Sequence, residues 1–407
     1  MSIATDVNDR TDRRQVLLRR LAHAWVALLP IQIPLLESGG RDINLAPSDL
    51  VLAFALVALL PQIRFRPGVW SVWHFALPIV LTANLALVGV FSRYAVFNKT
   101  LGLLILLAAY ALLTTVTVDF DDIRQLVRTF VLSVGGLNLV ATAAHLLNIG
   151  VPFTACPTAC VRLNGFLPDP NLYGSILVLD LTGLWFLSRP GRRVVSRSGD
   201  IVLQAGLLLG VLLTLSRSAW LALGVVVVGA LILGRGAISR WFLWGGLAIG
   251  VIAVFLVGDD LSGLVDVAGR TGTVDSRWVL TLDAVRDFVA NPIQGIGLGV
   301  FAEEHGQIIH NTFLWVLAEL GIIGGFALAG FWLWTMRSTV DSYRTANRHD
   351  RRMVEAVFLG HLAMFTFSLF VEALYQRHWW LLFALTGSMA VAARAGPKTH
   401  VGPAAVN

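Results

Sequence analysis

Apolar runs of 15 to 25 residues recur from one end of this chain to the other, and nothing constrains its fold more. A helix needs about 20 predominantly apolar residues to cross a bilayer. No stretch between the runs is long enough to fold as a soluble domain. Only 14% of the 407 residues are charged, against about a quarter in soluble proteins. In hydrocarbon every backbone N–H and C=O must be satisfied within the protein, so helices are the expected solution. The reading is a single all-α polytopic membrane domain over 1–407. Twelve spans are placed near 21–36, 48–62, 69–92, 98–118, 127–148, 172–188, 201–215, 219–234, 241–257, 310–336, 353–374 and 378–393.

The chain starts with a charged segment, MSIATDVNDRTDRRQVLLRR, and turns apolar at Leu21. This has the outline of a signal peptide. Glu37-Ser38-Gly39-Gly40 offers no small-x-small cleavage site, so the first helix is expected to stay in the mature protein. A formal charge of +6 does not suggest nucleic acid, because arginines in membrane proteins mostly mark cytoplasmic loops. With both termini inside, residues 1–20 and 394–407 are cytoplasmic tails. Of the 31 lysines and arginines, 22 then fall on the inner side. The positive-inside rule supports that orientation.

The outer nine are Arg41, Arg93, Lys99, Arg162, Arg217, Arg270, Arg277, Arg286 and Arg377. Arg217 stands at the turn of a tight apolar hairpin, in LLTLSRSAWLALGV (211–224). It can snorkel to lipid headgroups, or it can bind an anion with its planar donor fork. The outer connection 258–309 is far longer than most loops, and such loops are often functional. Its stretch DSRWVLTLDAVRDFVANP (275–292) reads as an amphipathic helix. Asp275 or Ser276 would cap it, Pro292 would stop it, and Trp278, Leu282, Val285 and Val289 would pack it on the membrane core. It is expected to lie along the outer membrane surface.

His310 and Asn311 open the tenth span, in HGQIIHNTFLWVLAELGIIGG (305–325). A histidine there can be a structural hydrogen-bonder, or it can take a proton from a hydroxyl near neutral pH. Glu319 is half a turn out of phase with His310 and shares a face with Asn311. A carboxyl within a span is either paired or functional. Asp180 in the sixth span is another such carboxyl. Gly321, Gly324 and Gly325 suit close helix packing. GIGLG (295–299) has no strand before it and no helix directly after it, so it reads as a tight turn, not a dinucleotide loop. His145 and His361 read as packing residues. Cys156 and Cys160, in CPTAC, lie in an outer loop where a short-range disulfide is possible. Two cysteines without histidine neighbours make a weak zinc site, and no carboxylate-rich metal cluster appears.

Three stretches together resemble the O-antigen ligase and polymerase superfamily of bacterial surface-polysaccharide enzymes. They are LNGFLPDPNLYGS (163–175), LTLSRSAW (213–220) and the segment 277–325, with its Asn-Pro-x-x-Gly-x-Gly, His-Asn and Glu-x-Gly-x-x-Gly in order. The resemblance implies a C-type glycosyltransferase-like core with a partly helical periplasmic loop, in the inner membrane of a bacterium. It implies metal-independent, cofactor-free transfer of a glycan from a polyprenyl (undecaprenyl) diphosphate donor to an acceptor sugar hydroxyl, such as that of a lipid A core. Membrane lipids are the other partner. On that resemblance Arg217 and Arg277 match the diphosphate-binding arginines and His310 matches the histidine that assists the acceptor hydroxyl. Arg270, Asn311, Glu319 and Asn171 are placed with substrate binding. A ligase and a polymerase of the same family are both compatible with these residues. A transporter of lipid-linked sugars, with Asp180 and Glu319 in a polar path, is the reading from a different class.

Overall fold

The computed structural model describes residues 2–32, 46–59, 66, 68–149, 162–187, 195–233 and 271–395. Arg270, Cys156, Cys160 and the span expected at 241–257 lie outside the described residues. The described residues form helices and no strand; one isolated bridge joins Ile31 to Phe166. The helices are α1 (Ser2–Ala27), α2 (Pro47–Leu59), α3 (Val72–Leu87), α4 (Gly102–Val116), α5 (Phe120–Leu146), α6 (Pro170–Leu187), α7 (Arg197–Leu213) and α8 (Arg217–Ile232). After them come α9 (Thr271–Ala290), α10 (Val300–His305), α11 (Thr312–Thr345), α12 (Arg351–Ser368) and α13 (Arg377–Ala395). A π-helical turn, Tyr94–Leu101, leads into α4.

Three helical stretches are long and apolar enough to cross a bilayer, at Tyr94–Val116, Phe120–Leu146 and Thr312–Thr345. Shorter apolar helices lie at Pro47–Ala58, Val72–Leu87 and Arg217–Ile232. The outside of the bundle is itself apolar: Phe54 is 75% exposed, Val57 80% and Ile232 79%. Water would penalise such a surface, and lipid does not. This is an all-α membrane protein. Helix α1 starts at Ser2, so the basic N-terminal segment is helical and continuous with the first apolar run.

Helices α6, α12 and α13 make up the interior. α6 is buried on nearly all sides from Tyr173 to Trp185, as expected of a helix that is hydrophobic all round. It packs on α7, α8 and α12, while α13 packs on α4 and α11. The buried histidines are structural. His361 Nε2 lies 3.0 Å from Thr386 Oγ1, and the Trp379 indole donates to His361 Nδ1 at 3.3 Å. Asp180 is fully buried where α6 meets α5, beside Gly135, and neither of its oxygens has a hydrogen-bond partner among the described residues.

α9 confirms a helix in the long loop, but it begins at Thr271, ahead of the expected caps Asp275 and Ser276. Its packed face also differs from the expected one. Trp278, Leu282, Val285 and Val289 are exposed, whereas Leu280 and Ala284 are buried and α9 packs on α11. In a membrane protein the more hydrophobic face of a helix can turn outward, because small residues allow close helix approach and lipid accepts the large ones.

α11 is broken at Gly321, whose φ of 62° and ψ of −162° no helix can contain. The break frees backbone groups, and residues 292–299 fill it. Ile296 N donates to Ala318 O at 2.9 Å, Gly297 N to Glu319 O at 3.1 Å, and Ile322 N to Pro292 O at 2.8 Å. Gly321 is therefore a helix break, not the packing site expected. A Cβ there would sit 2.3 Å from the Ile293 carbonyl oxygen. GIGLG forms the expected turn, although α10 begins directly after it, at Val300.

Gly321→Val should lower the melting temperature of the detergent-purified protein sharply, through a loss of at least about 2 kcal/mol from left-handed strain and overlap. Gly136→Ala, where an added Cβ meets nothing within 4 Å, is the control and should leave it within a degree or so. Differential scanning fluorimetry measures both. Equal melting temperatures would mean that α11 does not depend on a glycine at its break.

Candidate active site

The site is assembled from six segments that are remote in sequence. Residues 162–169 are stapled to the α7–α8 turn. Leu163 N donates to Leu213 O at 2.9 Å, and Arg162 Nε to Thr214 O at 2.8 Å. A second Arg162 nitrogen donates to Asn171 Oδ1 at 2.9 Å. The turn itself is strained, because Leu215 has φ +49°, a left-handed conformation that non-glycine residues rarely adopt. Ser216 then caps α8, its hydroxyl accepting from Ala219 N at 3.3 Å. Arg217 follows as the first helical residue, with its side chain exposed. Its guanidinium and the positive end of the α8 dipole thus favour an anion at the same place.

Arg277 enters from α9, also exposed, and interacts electrostatically with Asp169 and Arg217. Partial desolvation and the neighbouring Arg217 lower its pKa, against the raising effect of Asp169. An arginine remains a cation despite such a shift. His310, half-buried in the segment before α11, interacts with Arg277, Asp169 and Glu372. Its pKa is held below the ordinary 6.5, first by desolvation and then by Arg277, while Asp169 and Glu372 act the other way. The imidazole is therefore predominantly neutral at pH 7 and able to accept a proton. It also walls an open cavity of about 360 Å³, with Tyr94, Asn98 and Gln307 among the other lining residues.

Beneath the cavity lies a buried charge cluster. Lys99, 2% exposed, is ion-paired to Glu372. The Lys99 ammonium stands 4.0 Å from the Trp315 ring centre, 4.6 Å from that of Tyr375 and 4.8 Å from that of Tyr94. Such contacts stabilise a desolvated cation. Tyr94 Oη donates to Glu372 Oε2 at 3.4 Å. Lys99 sits in the π-helical turn, a conformation often found at functional sites.

The structure thus brings Arg217, Arg277 and His310 into one electrostatic neighbourhood. Glu319, Asn311 and Asn171 are engaged with the protein itself. Glu319 Oε2 accepts from Gly299 N at 3.0 Å and from the Trp315 indole at 2.8 Å. Asn311 Oδ1 caps α11 through Phe313 N and Leu314 N, both at 2.9 Å, and its amide donates to Leu369 O. Asn171 holds Arg162. The geometry adds Asp169, Arg162, Lys99, Glu372 and Tyr94 to the residues singled out in the sequence. Arg162 and Lys99 stand out there only as two of nine outer cations. Glu372 lies 273 residues from its lysine, and no spacing signals such a pair.

Residues 202–329 match the family model described as O-antigen ligase, a segment that contains Arg217, Arg277, His310 and Glu319. Over that segment, less than half of the chain, it is similar to O-antigen ligases. Arg162, Asn171, Lys99 and Glu372 lie outside the matched segment. Fluoride-specific ion channels FluC of Burkholderia pseudomallei (strain 668) and Burkholderia mallei (strain SAVP1) are similar too, at 33% identity over 127 residues. That is 28% of this chain and 91% of each channel. Most of this chain lies outside that likeness. Fluoride conduction is not carried over from it.

Glu372→Gln should leave the Lys99 ammonium uncompensated in the interior, at a cost of about 3 kcal/mol, read as a fall in melting temperature in detergent. Adding Lys99→Met should recover much of the loss. A single variant as stable as wild type would mean that the pair carries no burial cost.

Proposed function

We propose that this O-antigen ligase-like protein is a glycosyltransferase of surface-polysaccharide assembly. It moves a glycan from a polyprenyl diphosphate carrier to an acceptor sugar hydroxyl at the outer face of the bacterial inner membrane. The observation that carries this reading is the convergence of Arg217 and Arg277, 60 positions apart in the chain, beside a histidine held below its usual pKa. His310 takes the proton of the acceptor hydroxyl. The oxygen attacks the anomeric carbon, and the bond from that carbon to the diphosphate oxygen breaks. The polyprenyl diphosphate departs with the electron pair, and its charge is met by Arg217 and Arg277. Guanidinium forks suit phosphate oxygens, and donors aimed at developing charge lower a barrier. A ligase and a polymerase share this chemistry and differ in the acceptor, a lipid A core in one and a lipid-linked repeat unit in the other. For the transporter reading the structure offers Asp180 and Glu319, but they share no partner, and Glu319 is already satisfied by Gly299 and Trp315.

The test is transfer in detergent, with a polyprenyl-diphosphate-linked glycan as donor and candidate acceptors in turn. Arg217→Lys keeps the charge and loses the fork, and should cut turnover at least about 100-fold in a folded protein. His310→Ala should abolish transfer and leave donor binding in place. Because His310 must be neutral, kcat/KM for the acceptor should stay level through pH 7 and fall only below 6.5, the ordinary histidine value. Activity should persist in EDTA. Wild-type turnover in both variants would overturn the mechanism. Movement of donor between leaflets without transfer to any acceptor would favour the transporter.

A further inference from the structure

His310 belongs to two surroundings that differ in charge. One holds Arg277, which interacts electrostatically with His310, and Arg217, both exposed cations with Asp169 as the nearby carboxylate. The other is the 360 Å³ cavity that His310 helps to line, within the range of about 300–1,000 Å³ common to small-molecule pockets. Its lining residues include the ring of Tyr94 and the amide side chains of Asn98 and Gln307, and none of them carries a formal charge at neutral pH. Lys99, next in sequence to Asn98, is the cation that could have made this an anion site. Its ammonium is paired with Glu372 and enclosed by three aromatic rings. A phosphate in the cavity would lose its hydration and find no unmasked counter-ion among the described lining residues.

We infer that the cavity bounded by Tyr94, Asn98, Gln307 and His310 is the acceptor subsite, and that it selects a neutral, hydroxyl-bearing sugar over a phosphorylated one. Amide side chains donate and accept at once, as sugar hydroxyls do. The tyrosine ring presents an apolar surface to the C–H groups of a sugar ring. His310 on the same wall is placed to take the proton of the hydroxyl that reacts. The donor diphosphate stays with Arg217 and Arg277, which do not line the cavity, so the acceptor subsite is the neutral one. The inference rests on the glycosyl-transfer reading of this site and adds the class of acceptor and the residues that choose it.

The experiment has two readouts, both on the full chain in detergent. The first is saturation-transfer NMR with a panel of neutral methyl hexosides and heptosides and their phosphate esters. At least one neutral glycoside should receive saturation, its phosphate ester should bind more weakly, and Asn98→Ala and Gln307→Ala should each weaken binding about tenfold. That is the loss of about 1.4 kcal/mol, one good hydrogen bond. Arg277→Ala should leave it unchanged. The second readout is transfer kinetics, in which the same two cavity variants should raise KM for the acceptor about tenfold and leave KM for the lipid-linked donor alone. Gln307 lies on an exposed loop, so its truncation does not threaten the fold. Saturation of no glycoside, tighter binding of the phosphate esters, or binding indifferent to both variants overturns the inference. Glycoside binding lost in the variants, without transfer from any lipid diphosphate, keeps the subsite and removes the glycosyl-transfer reading. Transfer with unchanged acceptor KM in both variants does the reverse.

Discussion

The break in α11 at Gly321 is the constraint on which the site geometry depends. A helix interrupted inside a membrane protein exposes amides and carbonyls that lipid cannot satisfy. Here one inserted segment satisfies them. Residues 292–299 donate to the carbonyls of Ala318 and Glu319 and accept from Ile322 N. The same segment is held on its other side by Asn84, whose amide donates to Gln294 O at 2.7 Å and accepts from Leu298 N at 2.7 Å. Glu319 completes the join by accepting from Gly299 N. α9 ends just before this segment and His310 follows shortly after it. The fixed join therefore sets the helix carrying Arg277 against the helix that begins beside His310. An arginine within the long connection 258–309 and a histidine at its end could not otherwise hold a common geometry.

Electrostatics then divides the neighbourhood by solvation rather than by the number of charges. Arg217, Arg277 and Lys99 are all cations, but only the arginines are exposed. Lys99 is buried with a carboxylate partner and aromatic faces around it, which offset part of the cost of desolvating an ammonium. An ammonium buried without such company would tend to lose its proton. The pair ties the π-helical turn before α4 to the segment between α12 and α13, and the cavity rests on that tie. Asn311 and Thr312 attach the start of α11 to the same segment, through Leu369 O and Val371 O.

Much of this was legible in the sequence. The apolar runs give the helices: most of the expected spans overlap described helices, three of which are long and apolar enough to cross a bilayer, while the first ends at Ala27, well short of 36. The arginine in a hairpin turn is legible because a charge amid the apolar stretch 201–234 needs a reason. His310 and Arg277 are legible through the ordered motifs of 277–325. What could not be read has physical causes. The packed face of α9 was misplaced because a hydrophobic stripe points to the protein interior only when the alternative is water. Beside lipid, Leu280 and Ala284 can face the protein while Trp278 and Val289 face out. Gly321 looks like any small residue in a Gly-x-x-Gly pattern until the partner that enters its break is known, and that partner lies nearly 30 residues upstream. Asn311 and Glu319 are polar residues in the right place whose capacity is spent on backbone amides and an indole. Composition does not reveal such satisfaction.

The polar residues of the site therefore fall into two kinds by what they have left to offer. Asn311, Glu319, Asn171 and Lys99 have partners within the protein, and each fixes a junction between segments: the α11 cap, the α11 break, the Arg162 staple and the α4 turn. Arg217 and His310 have no such side-chain bond among those described, and each follows directly on, or directly precedes, one of the helix caps. Arg217 comes one residue after the Ser216 cap, and His310 one residue before the Asn311 cap. A side chain at a helix boundary inherits the rigidity of the cap without being packed by the helix. It can be held in position while its donors or acceptor stay available to a substrate. This explains why the two residues with chemistry to perform stand beside capping residues, and why the caps themselves are poor candidates for binding.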